Sequence, residues 1–126
     1  MSSDLTYIPG TCNIGPSEIK RRRSVAYLGA VLTIITTVAL LAAHTSHLVH
    51  FAVFIPAMIF SVGLVQSTKK FCFAFGLSGV FNLSALGKVE RVASKEARAA
   101  DRAMALRILF QSTVIAFLIS AIVAIL

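Results

Sequence analysis

The chain has 126 residues, 57% of them hydrophobic, and carries twelve Lys and Arg against five Asp and Glu, a net charge of +7. Its apolar residues are gathered into long blocks without charges, which excludes an ordinary soluble domain. A positive balance suits either nucleic acid or a membrane surface, and the placement of the charges decides for the membrane.

Three blocks, Val25–Ala43, Leu48–Gln66 and Ile108–Leu126, contain no Asp, Glu, Lys or Arg, and each is 19 residues long. A helix of ~20 residues rises roughly 30 Å, the thickness of the hydrocarbon layer. The expected fold is an all-α membrane protein, one domain over 1–126 with three transmembrane helices. Lys20, Arg21, Arg22 and Arg23 precede the first span, and the other eight basic residues lie between the second and third. The link between spans one and two has none. The positive-inside rule then predicts a cytoplasmic N-terminus, with residues 1–15 as a cytoplasmic lead and 67–107 as a cytoplasmic segment. The first apolar block exceeds the ~7–15 residues of a signal-peptide core, so an uncleaved anchor is expected.

In the lead, Pro9-Gly10 marks a turn. Gly15 as N-cap, Pro16 at the first helical position and Glu18 in the first turn predict a helix from Pro16 to about Ala43. Ile14 and Ile19 stand where a hydrophobic staple would join them. Ala26/Ala30 and Gly29/Thr33/Thr37 repeat every fourth residue and allow close helix approach. His44, His47 and His50 lie in the short outer connection. Metal or haem ligation there is conceivable, but polar residues closing a hairpin are the simpler expectation. Pro56 predicts a kink in span two, with Ala57 and Ser61 at close-packing spacing.

Lys69-Lys70 is followed by FCFAFGLSGVFN. Crossing the membrane here, over residues 71–86, would give a fourth span of 16 residues containing two glycines. It would also put six of the twelve basic residues, Lys88 to Arg107, on the outside. A cytoplasmic re-entrant or interfacial segment is favoured, with Phe71, Phe73, Phe75 and Phe81 as an interfacial wedge. From about Val89 a helix is expected to run without a break into span three. Lys88, Arg91, Lys95, Arg98 and Arg102, spaced three and four apart, would form a basic stripe for lipid headgroups or an acidic partner. In span three, Ser112, Ala116, Ser120 and Ala124 form the clearest small-residue packing stripe.

Cys12 and Cys72 both fall on the cytoplasmic side. They could be a thiol pair or half of a metal site, though reduced packing residues are expected. No Asp, Glu, Lys or Arg lies inside a span, and no nucleophile–base pair, phosphate loop or paired carboxylate site is recognisable. The sequence therefore predicts no enzyme, no catalytic, cofactor-binding or metal residues, and names no cofactor.

The segments YIPGTCNIGPSEIKRRR and FCFAFGLSGVFN resemble signature blocks of a family of small, uncharacterised bacterial inner-membrane proteins. That resemblance implies a bacterial inner (cytoplasmic) membrane location and a cytoplasmic surface built from both segments, with no activity attached. The functional expectation is a non-catalytic accessory or assembly subunit of a larger membrane complex. Its partners would be the bilayer and other membrane subunits or further copies of itself, not nucleic acid. A thiol redox or metal-binding protein and a holin-like self-assembling protein are the alternatives.

Overall fold

A computed structural model describes residues 6–84 and 87–126. The first five residues of the expected lead, and Ala85 and Leu86 at the end of the stretch weighed as a fourth span, lie outside the described residues.

The first helix, α1, spans Pro16–Ala42. Gly15, in extended backbone, precedes it as N-cap, and Pro16 supplies a preset φ where no intrahelical N–H is needed. The staple forms, with Ile14 and Ile19 in one cluster with Cys72. After Ala43 the chain leaves the helix through His44 in the left-handed region, at φ 54°. A 3-10 turn over Val49–Val53 leads into α2, Phe54–Lys69, which ends at a left-handed Lys70. Pro56 falls in the first turn of α2. The kink expected in span two at Pro56 thus falls beside a junction between 3-10 and α-helix, where a missing N–H is tolerated.

Beyond Lys70 the FCFAFGLSGVFN stretch folds into α3, Phe73–Ser78, and β1, Val80–Phe81. A helix of six residues is too short to cross a bilayer. Strand β1 pairs antiparallel with β2, Glu90–Arg91. The last helix, α4, runs unbroken over Lys95–Ala124. Its start corrects the expectation of a helix from Val89. Ser94 is the N-cap, its hydroxyl accepting the Ala97 N–H at 3.2 Å, and the residues before it are extended. Lys88 and Arg91 are therefore off the helix, and the five-residue basic stripe does not exist as a helical face.

Three helical stretches, Pro16–Ala42, Val49–Lys69 and Lys95–Ala124, are long and apolar enough to cross a membrane. The middle one is 44% buried over its most apolar window, against 11% and 28% for the outer two, so α2 is sandwiched between α1 and α4. The α1–α2 contact is built on glycine. A Cβ on Gly29 would lie 2.3 Å from the Phe60 nitrogen, and one on Gly63 would lie 2.6 Å from the Ala26 nitrogen. On α4 the inward face is Ala97, Asp101, Ala105, Ile108, Ser112, Ala116, Ser120 and Ala124. The stripe read from the sequence is thus the buried face of the helix. Several hydroxyls within the helices are satisfied locally: Thr33, Ser61 and Ser120 donate to the carbonyls of Gly29, Ala57 and Ala116, at 2.7 to 2.8 Å.

Helix direction puts the lead, α3, the β1–β2 pair and the start of α4 at one end of the bundle, the basic end. The histidines lie at the other.

Candidate functional site

The basic end carries the densest polar structure in the molecule. Its first part joins the two segments that stood out in the sequence. Asn13, fully buried, uses its side-chain amide as a piece of backbone: Oδ1 accepts the Cys72 N–H at 2.7 Å and Nδ2 donates to the Cys72 carbonyl at 3.1 Å. Main-chain bonds continue the join, from Asn82 N to Asn13 O and from Gly15 N to Asn82 O, both 2.9 Å. This close approach is why residue 15 is glycine. A Cβ there would lie 2.4 Å from the Leu83 carbonyl oxygen.

Below that join sits a charged pair in the first turns of α1. Glu18 is 2% exposed and takes a bond from Asn82 Nδ2 at 3.2 Å on one carboxylate oxygen and an ion pair from Arg22 on the other. Arg22 also donates to the Cys72 sulfur at 2.9 Å and lies over the Phe75 ring, 5.5 Å from its centroid. A carboxylate at this depth is tolerated because both oxygens are occupied.

The second part ties the lead to α4. Asp101 is fully buried. It accepts the Tyr7 hydroxyl at 2.6 Å and the Gly10 N–H at 2.7 Å. Burial, and then the bond to this carboxylate, push the Tyr7 phenol well above its ordinary range. The Tyr7 ring stacks on Phe81, with centroids 4.6 Å apart. Arg98 reaches back from α4 to the carbonyls of Val92 and Ala93, at 2.8 and 3.1 Å, and fastens the loop that follows β2.

The expected site residues are distributed over this frame. Cys12 and Cys72 are both buried free thiols with different partners. The Cys12 sulfur donates to the Ile14 carbonyl at 3.6 Å, whereas that of Cys72 faces Arg22. Burial pushes the Cys12 thiol up, toward the less reactive protonated form. Of the phenylalanine wedge, Phe71 is fully buried between α2 and α4 with Val65, Ala105 and Ile108, and half-buried Phe73 packs against that cluster; Phe75, also half-buried, packs against Ile14, Ile19 and Cys72, and Phe81 stacks on Tyr7. Lys88, Arg91, Lys95 and Arg102 are exposed, and Arg98 is partly buried in its loop contacts.

At the far end, the histidines close α4. His47 and His50 donate from Nδ1 to the carbonyls of Ala124 and Val123, at 2.6 and 3.2 Å, satisfying helix-terminal acceptors. Their rings meet edge to face at 5.6 Å, and His44 lies beside them in the same shallow cleft. Among the described residues no group of three or more His, Cys, Asp or Glu is placed to hold a metal ion.

The sequence reading missed Asn13, Arg22, Asn82 and Asp101 as structural centres. For Asp101 a signal existed: it lies in register with Ala97, Ala105 and Ile108, an acid on the apolar face of its helix. The chain matches no family model, and no curated protein or solved structure matches it.

Proposed function

We propose that this chain is a non-catalytic accessory or assembly subunit of a larger complex in a bacterial inner membrane, with its basic end in the cytoplasm. The observation that carries this reading is how the buried polar side chains are used. Asn13, Glu18, Asn82 and Asp101 all tie the lead and the hairpin to the helices. The result is a fixed cap whose outer surface holds Lys20, Arg21, Arg23, Lys88, Arg91, Lys95 and Arg102. A rigid basic platform above a small three-helix bundle suits docking against an acidic subunit surface. The charge bias supports the cytoplasmic orientation, and the apolar faces of α3 support an interfacial position for it. Extraction in a mild detergent should recover the chain with a stoichiometric partner. A clean monomer under every mild condition contradicts the reading.

A thiol-dependent role is the second reading, favoured by the guanidinium of Arg22 at 2.9 Å from the Cys72 sulfur. It predicts that replacing Cys72 by Ser abolishes the cellular role while leaving the fold intact. The subunit reading predicts that this variant still assembles.

A further inference from the structure

We infer that a groove between α2 and α4 is a binding site for one anionic phospholipid, with an acyl chain between the helices and the phosphate at its basic rim. The groove has a volume of about 420 Å³. Its apolar walls are Leu64 and Val65 of α2 and Val114 and Ile115 of α4. Toward the basic end the lining is Thr68, Lys69, Phe110 and Gln111, so polar groups join the apolar ones there. This polarity gradient runs along the bundle axis, as that of a lipid does.

Three groups at the rim suit the polar part of a phospholipid: two cations for the phosphate and one amide for the glycerol ester. Lys69, in the last turn of α2, lies at the end of the apolar run, where an ammonium meets headgroup phosphate. Arg107 is exposed on α4, one turn closer to the basic end than Gln111 and on the same face, so it stands above the groove. Neither cation has an ion-pair partner among the described residues. Gln111 is half-buried in the groove, with no hydrogen-bond partner for its amide among the described residues. At hydrocarbon depth such an amide is costly, and a glycerol ester oxygen would relieve it.

Charge complementarity selects a lipid over a second copy of the chain. Among the described residues α2 offers no acid, and the acids of α4 are the buried Asp101 and Glu96. Glu96 lies eleven residues before Arg107, roughly 16 Å along the helix. The α2–α4 face of a second copy therefore brings more cations to this rim, with its nearest exposed acid roughly 16 Å away. The groove is independent of the cap's proposed role, because it lies on the α2–α4 face below the cap.

The test uses the full chain, purified in mild detergent and stripped of lipid, then titrated with phosphatidylglycerol or phosphatidylcholine and read by native mass spectrometry. The wild type should retain one phosphatidylglycerol per chain in preference to phosphatidylcholine. Lys69→Gln with Arg107→Gln should weaken phosphatidylglycerol on the order of tenfold, as the loss of two interfacial charges requires. Lys88→Gln with Lys95→Gln, which removes the same charge elsewhere, should leave it unchanged. Val114→Trp, which fills the groove from an exposed position, should abolish retention of both lipids. Equal retention of the two lipids by the wild type, an equal loss in both double variants, or retention undiminished by Val114→Trp overturns the proposal. So does a stable dimer crosslinked through Leu64→Cys, which would show the groove filled by a second copy.

Discussion

The side chain of Asn13 brackets the main chain of Cys72, accepting from its N–H at 2.7 Å and donating to its carbonyl at 3.1 Å across 59 residues of sequence. One amide thereby holds the lead against the start of α3, at a position with no solvent exposure. Replacing Asn13 by Ala leaves the Cys72 N–H and C=O buried without these partners. A loss of about 3 kcal/mol is expected, read as a lowered thermal midpoint in detergent. An unchanged midpoint would mean that water reaches this joint.

The Tyr7–Asp101 bond predicts a dependence on alkaline pH. The folded phenol titrates above the unfolded one, so its contribution is complete below about pH 10, the ordinary tyrosine value. It is lost as pH rises from there through the folded value. Tyr7→Phe should lower stability at neutral pH by about 1.5 kcal/mol and should remove this part of the alkaline decline. Parallel unfolding curves from pH 8 to 11 check both; an identical decline in the variant contradicts the assignment.

The Glu18–Arg22 pair predicts an asymmetry. The Glu18 side chain is 2% exposed and that of Arg22 13%, so the acid is the worse residue to strand. Arg22→Met should cost about 3–5 kcal/mol, Glu18→Gln less, and the double variant less than Arg22→Met alone. A double-mutant cycle with no coupling would remove the pair from the account.

The glycine contact predicts steric failure between α1 and α2. Gly63→Leu cannot fit against Ala26, nor Gly29→Leu against Phe60, without separating the helices. Either change should lose several kcal/mol or the folded state, while Leu at exposed Ala39 should be near neutral. Detergent-resistant folding of Gly63→Leu would show that the helices do not touch there.

The spans were legible because they lack charge and because a bilayer allows few alternatives. The start of α1 was legible because Gly15, Pro16, Ile14 and Ile19 are local signals that agree. The packing face of α4 was legible from Ser112, Ala116 and Ser120, since small residues every fourth position have one common use. The start of α4 was not. Basic residues spaced three and four apart from Lys88 onward imitate a helical face. Pairing of Glu90–Arg91 with Val80–Phe81, and capping by Ser94, override that pattern. The cap itself was half legible. Sequence placed the Cys12 and Cys72 segments at the same end, but the bonds that join them depend on which buried amide meets which backbone, and no local pattern encodes that. Asp101 meets Tyr7 from 94 positions away along the chain.

The central claim is that the lead and the Phe71–Asn82 segment form one cap on one side of the membrane. Single cysteines at Ser17, Gly87 and His47, introduced with Cys12 and Cys72 changed to Ser, can be labelled by a membrane-impermeant maleimide in sealed vesicles of known orientation. Positions 17 and 87 should label from the same side and position 47 from the opposite side. Labelling of positions 17 and 87 from opposite sides would mean that the segment crosses the membrane, and would contradict the account.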